Sequence, residues 1–213
     1  MGKKKILWII GLMLIFTILG LYWLIQYFFS PYRAYTQFLK AIEQKDIDTI
    51  YSFILEDEKQ DGLNKEMVQW LIDWMFYRHV PKVRGETVFI SPPADRWFRA
   101  GVQWTNAETG EPLMLGGRKI LGYINLFRPP KRWSWQVSFT HFVKDYLSLN
   151  VAPLMLRQQG WTKEKVGTDY KTYERLKEET VSKILRQLGI RKIFRLPSKT
   201  KIRGRYVVIW ENR

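Results

Sequence analysis

Two histidines, His79 and His141, and no cysteine are all that this 213-residue chain offers to imidazole or thiolate chemistry. Most transition-metal centres and histidine-based catalytic arrangements are thereby excluded, and so are disulfides and thiolate metal sites. No nucleophile–base pair, phosphate-binding glycine loop or metal-ligand spacing appears. No catalytic residue, cofactor or metal is therefore assigned. Trp70, Trp74, Trp133 and Trp135, with His141, could line an apolar ligand pocket. The competing reading is that these rings fill a small core, because aromatics bury large areas.

The remaining chemistry is electrostatic. The formal net charge of +15 is concentrated toward the C-terminus: residues 30–80 hold 6 basic and 9 acidic side chains, whereas residues 151–213 hold 16 and 6. Lys183, Arg186, Arg191, Lys192, Arg195, Lys199, Lys201, Arg203 and Arg205 form the candidate basic surface. Its expected partner is anionic: lipid headgroups, where each cation adds about 1 kcal/mol, a wall polyanion, or an acidic protein. A merely solubilising basic face is the alternative.

These residues must be positioned by elements that the pattern announces. Ser30-Pro31 supplies a cap and first-turn proline, after which Tyr35, Phe38, Leu39 and Ile42 repeat at helical spacing. Asp46 caps a second helix bearing Ile47, Ile50, Tyr51 and Ile54. Asn64 caps a third, whose expected core stripe is Met67, Trp70, Leu71 and Trp74, leaving Asp73 solvated. From Val83 the period becomes two. Phe98, Ala100, Val102 and Trp104 alternate with polar neighbours, turns fall at 106–110 and Gly116-Gly117, and a strand resumes at 120–127. The last strand expected is 132–141, with Trp133, Trp135, Val137, Phe139 and His141 on one face. The reading is α+β: three helices packed on a curved antiparallel sheet of about four strands. The C-terminal extension, 151–213, is expected to hold a helix from Tyr173 to Leu188 ended by Gly189. A hairpin of 193–196 and 206–210 follows it.

Residues 6–29 (ILWIIGLMLIFTILGLYWLIQYFF) carry no charge. As a helix they would rise about 36 Å, enough to cross a hydrocarbon core of about 30 Å. Trp8 at one end and Tyr22, Trp23, Tyr27, Phe28 and Phe29 at the other suit the two interfaces. The run is longer than a signal-peptide core and no small-residue cleavage site follows it. With Lys3, Lys4 and Lys5 on the near side, residues 1–5 are expected in the cytoplasm and 30–213 outside it. The domains expected are thus 1–5, a transmembrane helix 6–29, an α+β domain 30–150 and the extension 151–213.

Two stretches carry a resemblance. YRAYTQFLKAIEQKDIDTIYSFI, a helix, an acidic break and a second helix, and RWSWQVSFTHF resemble the nuclear transport factor two-like, or cystatin-like cone, superfamily over residues 31–143. That resemblance implies a sheet wrapped around helices, on a single N-terminal anchor in many bacterial members, and it implies no particular activity. Where such cones are enzymes, an Asp, Glu or His in the pocket is the base. The matching positions here would be Asp73, His79 and His141, of which His141 shares the tryptophan face. Second, ETVSKILRQLGIRKIFRLPSKTKIRGRYVVIW is similar to the recognition helix and wing of winged-helix modules, which implies phosphate contacts by the basic residues above. The expected topology keeps that stretch away from DNA, so nucleic acid is not the expected partner. The function expected is a non-enzymatic interaction or scaffold protein of the bacterial cell envelope. A cone-fold ligand binder or enzyme, and a membrane-tethered nucleic-acid binder, are the alternatives.

Overall fold

A computed structural model describes residues 3–28, 30–92, 96–129, 134–189, 199–202 and 205–208, with side chains described for 11–23, 30–92, 96–129 and 134–189. The fold is α+β, in two compact units, Met1–Phe142 and Val143–Arg213.

In the first unit, α1 runs Lys3–Phe28, a 26-residue helix. All its described side chains, 11–23, are exposed, including Phe16 at 69% and Trp23 at 75%. Within the described residues no helix is long and apolar enough to cross a membrane; for α1 the described side chains are only 11–23.

The expected caps are in place. Ser30 Oγ accepts from Tyr32 N–H at the start of α2 (Pro31–Glu43), which buries Tyr35, Phe38, Leu39 and Ile42. Asp46 accepts from Thr49 N–H to open α3 (Ile47–Phe53), and Asn64 from Met67 N–H to open α5 (Lys65–Ile72). Between them lies α4 (Glu56–Gln60), a helix that the apolar pattern did not announce. Beyond Ile72 the chain continues as a π-helical turn, Asp73–Tyr77.

The core stripe of α5 is corrected. Val68, Leu71, Ile72, Met75 and Phe76 are buried, whereas Trp70 is 51% exposed. Leu71 is buried as expected, and Val68, Ile72, Met75 and Phe76 satisfy the same helical period and take the interior in place of Trp70. Asp73 is corrected too: it is half-buried and paired with Lys45.

The sheet is antiparallel with order β1-β2-β5-β6: β1 (Val83–Ile90), β2 (Trp97–Asn106), β5 (Leu121–Phe127) and β6 (Gln136–Val137). A small hairpin, β3 (Met114–Leu115) and β4 (Arg118–Lys119), turns at Gly116 and Gly117, both with positive φ. The expected alternation on β2 holds: Phe98, Ala100, Val102 and Trp104 are fully buried, opposite Leu126, Ile124, Gly122 and Ile120. Phe76 packs on Trp104 with ring centroids 4.3 Å apart. Helix α2 lies close on β1 because Gly85 has no side chain: a Cβ there would collide with Leu39 Cδ1.

The long closing strand is also corrected. Only Gln136–Val137 pair with β5, and from Phe139 the chain is helical, α6 (Phe139–Tyr146). His141 is thus on a helix, not in strand phase with the tryptophans. Phe139, Phe142 and Tyr146 fall at i, i+3, i+7, a period masked in the sequence by apparent alternation.

In the second unit, a π-helical stretch Leu147–Val151 leads into α7 (Ala152–Gln158), α8 (Lys163–Thr168) and α9 (Tyr170–Gln187). Ala152, Leu156, Val181 and Leu185 are buried where α9 packs on α7. Gly189 has φ 77°, as its place after α9 requires. The hairpin pairs β7 (Lys199–Ile202) with β8 (Arg205–Val208). Its first strand is 199–202, and 193–196 lies outside the described residues.

Candidate functional site

Two clusters in the first unit hold side chains able to do chemistry. The first is buried. Ile54 bridges Val137 in parallel, and Leu55 N–H donates to Val137 O. Two chains running side by side in the same direction bring Glu58, just beyond Ile54, to the residues just beyond Val137. Glu58 there accepts from Ser138 Oγ at 2.7 Å, Phe139 N–H at 2.8 Å and Thr140 N–H at 3.2 Å, the opening donors of α6. Ser138 Oγ also lies 2.6 Å from His141 Nδ1. Burial pushes the Glu58 carboxyl up to about 7 against the opposing pull of these donors. With its single proton given to Glu58, Ser138 must accept from an Nδ1–H imidazole. If Glu58 is protonated and donates to Ser138, the chain of bonds reverses and Nδ1 accepts. These residue types are those of a hydrolytic triad. However, the serine stands between acid and imidazole, and its hydroxyl is wholly buried, so no substrate reaches it. The cluster is a clasp that joins α4 to α6.

The second cluster is open. Lys45, Trp70, Asp73, Trp74, Tyr77 and Arg78 line a solvent-facing cleft of about 400 Å³. Trp70, Trp74 and Arg78 are spaced four apart, so the end of α5 and its π-helical turn stack them in a column. The two indoles are nearly parallel, with centroids 6.3 Å apart, and Arg78 Cζ lies 4.7 Å from the Trp74 ring centre. The floor is fixed, since Tyr77 Oη donates to Ile42 O at 2.6 Å, holding the end of α2. Burial, with help from Asp73 and Glu43, pushes the Tyr77 phenol up to about 12. Lys45 stands over the Tyr77 ring and 2.6 Å from Asp73 Oδ1. That ion pair lacks hydrogen-bond geometry, and Asp73 Oδ1 has no other donor. Lys45 is also the one described non-glycine residue with positive φ, 55°. A strained lysine, an exposed tryptophan and a π-helical turn meeting at one cleft are features that gather at functional sites.

The proposed pocket residues are therefore split. Trp70 and Trp74 meet in the cleft. Trp135 is buried near Arg128, whose Cζ is 5.5 Å from its ring, and His141 belongs to the clasp. Trp133 lies outside the described residues. His79 follows Arg78 at the cleft rim and accepts from its Nε at 3.1 Å; burial first, then Arg78, holds its imidazole below the usual range. Of the basic set, Lys183 and Arg186 are exposed on α9. Lys199, Lys201 and Arg205 are placed in β7 and β8 by backbone alone. Arg191, Lys192, Arg195 and Arg203 lie outside the described residues. Among the described residues no group of three or more His, Asp or Glu could hold a metal ion.

Sequence reasoning missed Glu58 and Lys45. Glu58 carries no periodic signal, because Ile54 and Leu55 are extended between α3 and α4 and the chain turns helical again only at Glu56. Lys45 leaves no trace either. Set against protein-family models, curated proteins and solved structures, the chain matches none.

Proposed function

We propose that this protein is a non-enzymatic interaction domain of a bacterial cell envelope, anchored through α1 and exposed outside the cytoplasm. The observation that carries the reading is α1 itself: a 26-residue helix without a charge after Lys5, whose described side chains are all exposed. A helix apolar all round is stable where its surroundings are apolar, in a bilayer or a large core. Nothing in the described unit covers it, and water would penalise it by roughly 25 cal/mol for each Å² of apolar surface. The resemblance to the cone superfamily is compatible with the order of helices then sheet, although its closing segment is largely helical.

The test is membrane fractionation of the full chain expressed in a bacterium. It is expected to stay in the pellet through an alkaline carbonate wash, while a chain lacking residues 2–29 is released. Full-length protein in the carbonate supernatant would sink the reading.

A second reading has one observation in its favour. Three helices, α7–α9, precede the β7–β8 hairpin, in the most basic part of the chain. That order suits a winged-helix nucleic-acid binder if the C-terminus faces the cytoplasm. The side on which the C-terminus lies decides between the two.

A further inference from the structure

We propose that the Trp70–Arg78 cleft is a saccharide site, shaped for a carboxylate-bearing sugar of a polysaccharide. It rests on the reading of this protein as an interaction domain, though not on its anchor.

Three features of the cleft are unspent within the fold. Trp70 keeps half its surface in water although Trp74 stacks beside it. Asp73 and Lys45 pair with each other at 2.6 Å and still keep 36% and 39% of their side-chain surface in water. Arg78 stacks on Trp74 and donates Nε to His79, yet has no carboxylate partner. An occupant should supply what each lacks.

A pyranose ring does so. Its C–H face carries slight positive charge and suits the negative face of an indole. Its hydroxyls both donate and accept, so they can bridge the exposed parts of the Asp73–Lys45 ion pair. A carboxylate on the same ring answers the guanidinium of Arg78, whose planar fork fits it in two parallel bonds. Other occupants fare worse. A quaternary ammonium would find aromatic faces but also two cations against one carboxylate. A purely apolar ligand would desolvate Arg78 and the Lys45–Asp73 ion pair without compensation. A proline-rich strand would use the rings and leave Arg78 without a carboxylate.

The test uses the full chain in phosphatidylcholine nanodiscs, because sugar-headed detergents would compete. Isothermal titration calorimetry at physiological salt compares a hyaluronan hexasaccharide, which bears glucuronate, with neutral chitohexaose. The acidic oligosaccharide is expected to bind more tightly. W70A should weaken both by about tenfold or more, as loss of a central aromatic contact does. W70Y, which keeps a ring, should retain most of the affinity, and that rescue separates stacking from any loss of fold. R78Q should bring the acidic ligand down to the affinity of the neutral one and leave the neutral one unchanged. The proposal is overturned if neither saccharide binds. It is equally overturned if W70A binds hyaluronan as the parent does, which would assign binding to the basic C-terminal region. A proline-rich peptide bound in a Trp70-dependent manner, with no saccharide binding, would give the cleft to a protein partner instead. The fractionation result stands whichever outcome is found.

Discussion

Glu58 is where a single side chain most affects the behaviour of the fold. Its carboxyl is 2% exposed and satisfied by three donors, yet burial still raises it to about 7 from 4.5. Between those values the folded chain holds a proton that the unfolded chain has released. Stability from this group is therefore full below about pH 4.5, falls as pH rises, and is lost above about 7. The difference amounts to roughly 3 kcal/mol. His79 acts oppositely, since its depressed imidazole favours the fold as pH rises toward 6.5. The comparison that isolates Glu58 is urea unfolding of the parent and E58Q from pH 4.5 to 7.5. Glutamine keeps a carbonyl for the N–H donors of α6 but cannot ionise. The stability difference, parent minus E58Q, should decline steadily across that range, and a constant difference would refute the raised carboxyl. His141 is linked to Glu58 through the Ser138 hydroxyl, so S138A should also shift the His141 ring resonances in NMR.

At the scale of elements, the close approach of α2 to β1 hangs on Gly85. A methyl group there meets Leu39 Cδ1 in collision, Val102 Cγ1 at 3.0 Å and Trp104 Cζ3 at 3.2 Å. Leu39 and Trp104 are buried, so neither can swing into solvent. G85A should cost about 1–3 kcal/mol, as overpacking of a tight core does; G117A, in the open turn of β3–β4, meets no atom within 4 Å. There the cost is confined to its positive φ. Equal midpoints for the two in urea would remove this account of α2 packing. The helix starts at Ser30, Asp46 and Asn64 were legible because a cap is a local event, a side chain reaching two or three residues along. The β2 alternation was legible for the same reason. What could not be read was decided at long range. Around Leu71 two overlapping stripes had equal claim to the core, and contact with the sheet, Phe76 on Trp104, favoured the one without the tryptophans. The segment 138–142 satisfied both a period of two and a helix, and Glu58, 80 residues before Ser138, accepts from the N–H groups that open the helix. The cleft followed from the same misjudged stripe, because Trp70 and Trp74 were assigned inward and are displayed outward.

For the whole molecule, orientation across the bilayer ranks the proposed readings. The C-terminal 63 residues carry 16 of the 35 basic side chains. Outside the cytoplasm they face envelope polyanions, and inside they face nucleic acid. The three lysines at 3–5 against Arg33 and Lys40 beyond α1 argue for the first arrangement. The absence of cysteine provides a clean probe, because any thiol introduced is the sole one in the chain. Lys183 is exposed on α9, so K183C should be labelled in intact cells by a membrane-impermeant maleimide. Adding K3Q, K4Q and K5Q together removes the charges that, on the proposed topology, hold the short end inside. Labelling from outside should then fall, since the flank with Arg33 and Lys40 becomes the more basic one. If K183C is silent in intact cells and reacts only after lysis, the C-terminal unit is cytoplasmic. Its helices and hairpin then belong to the nucleic-acid reading, and the cleft meets no envelope polysaccharide.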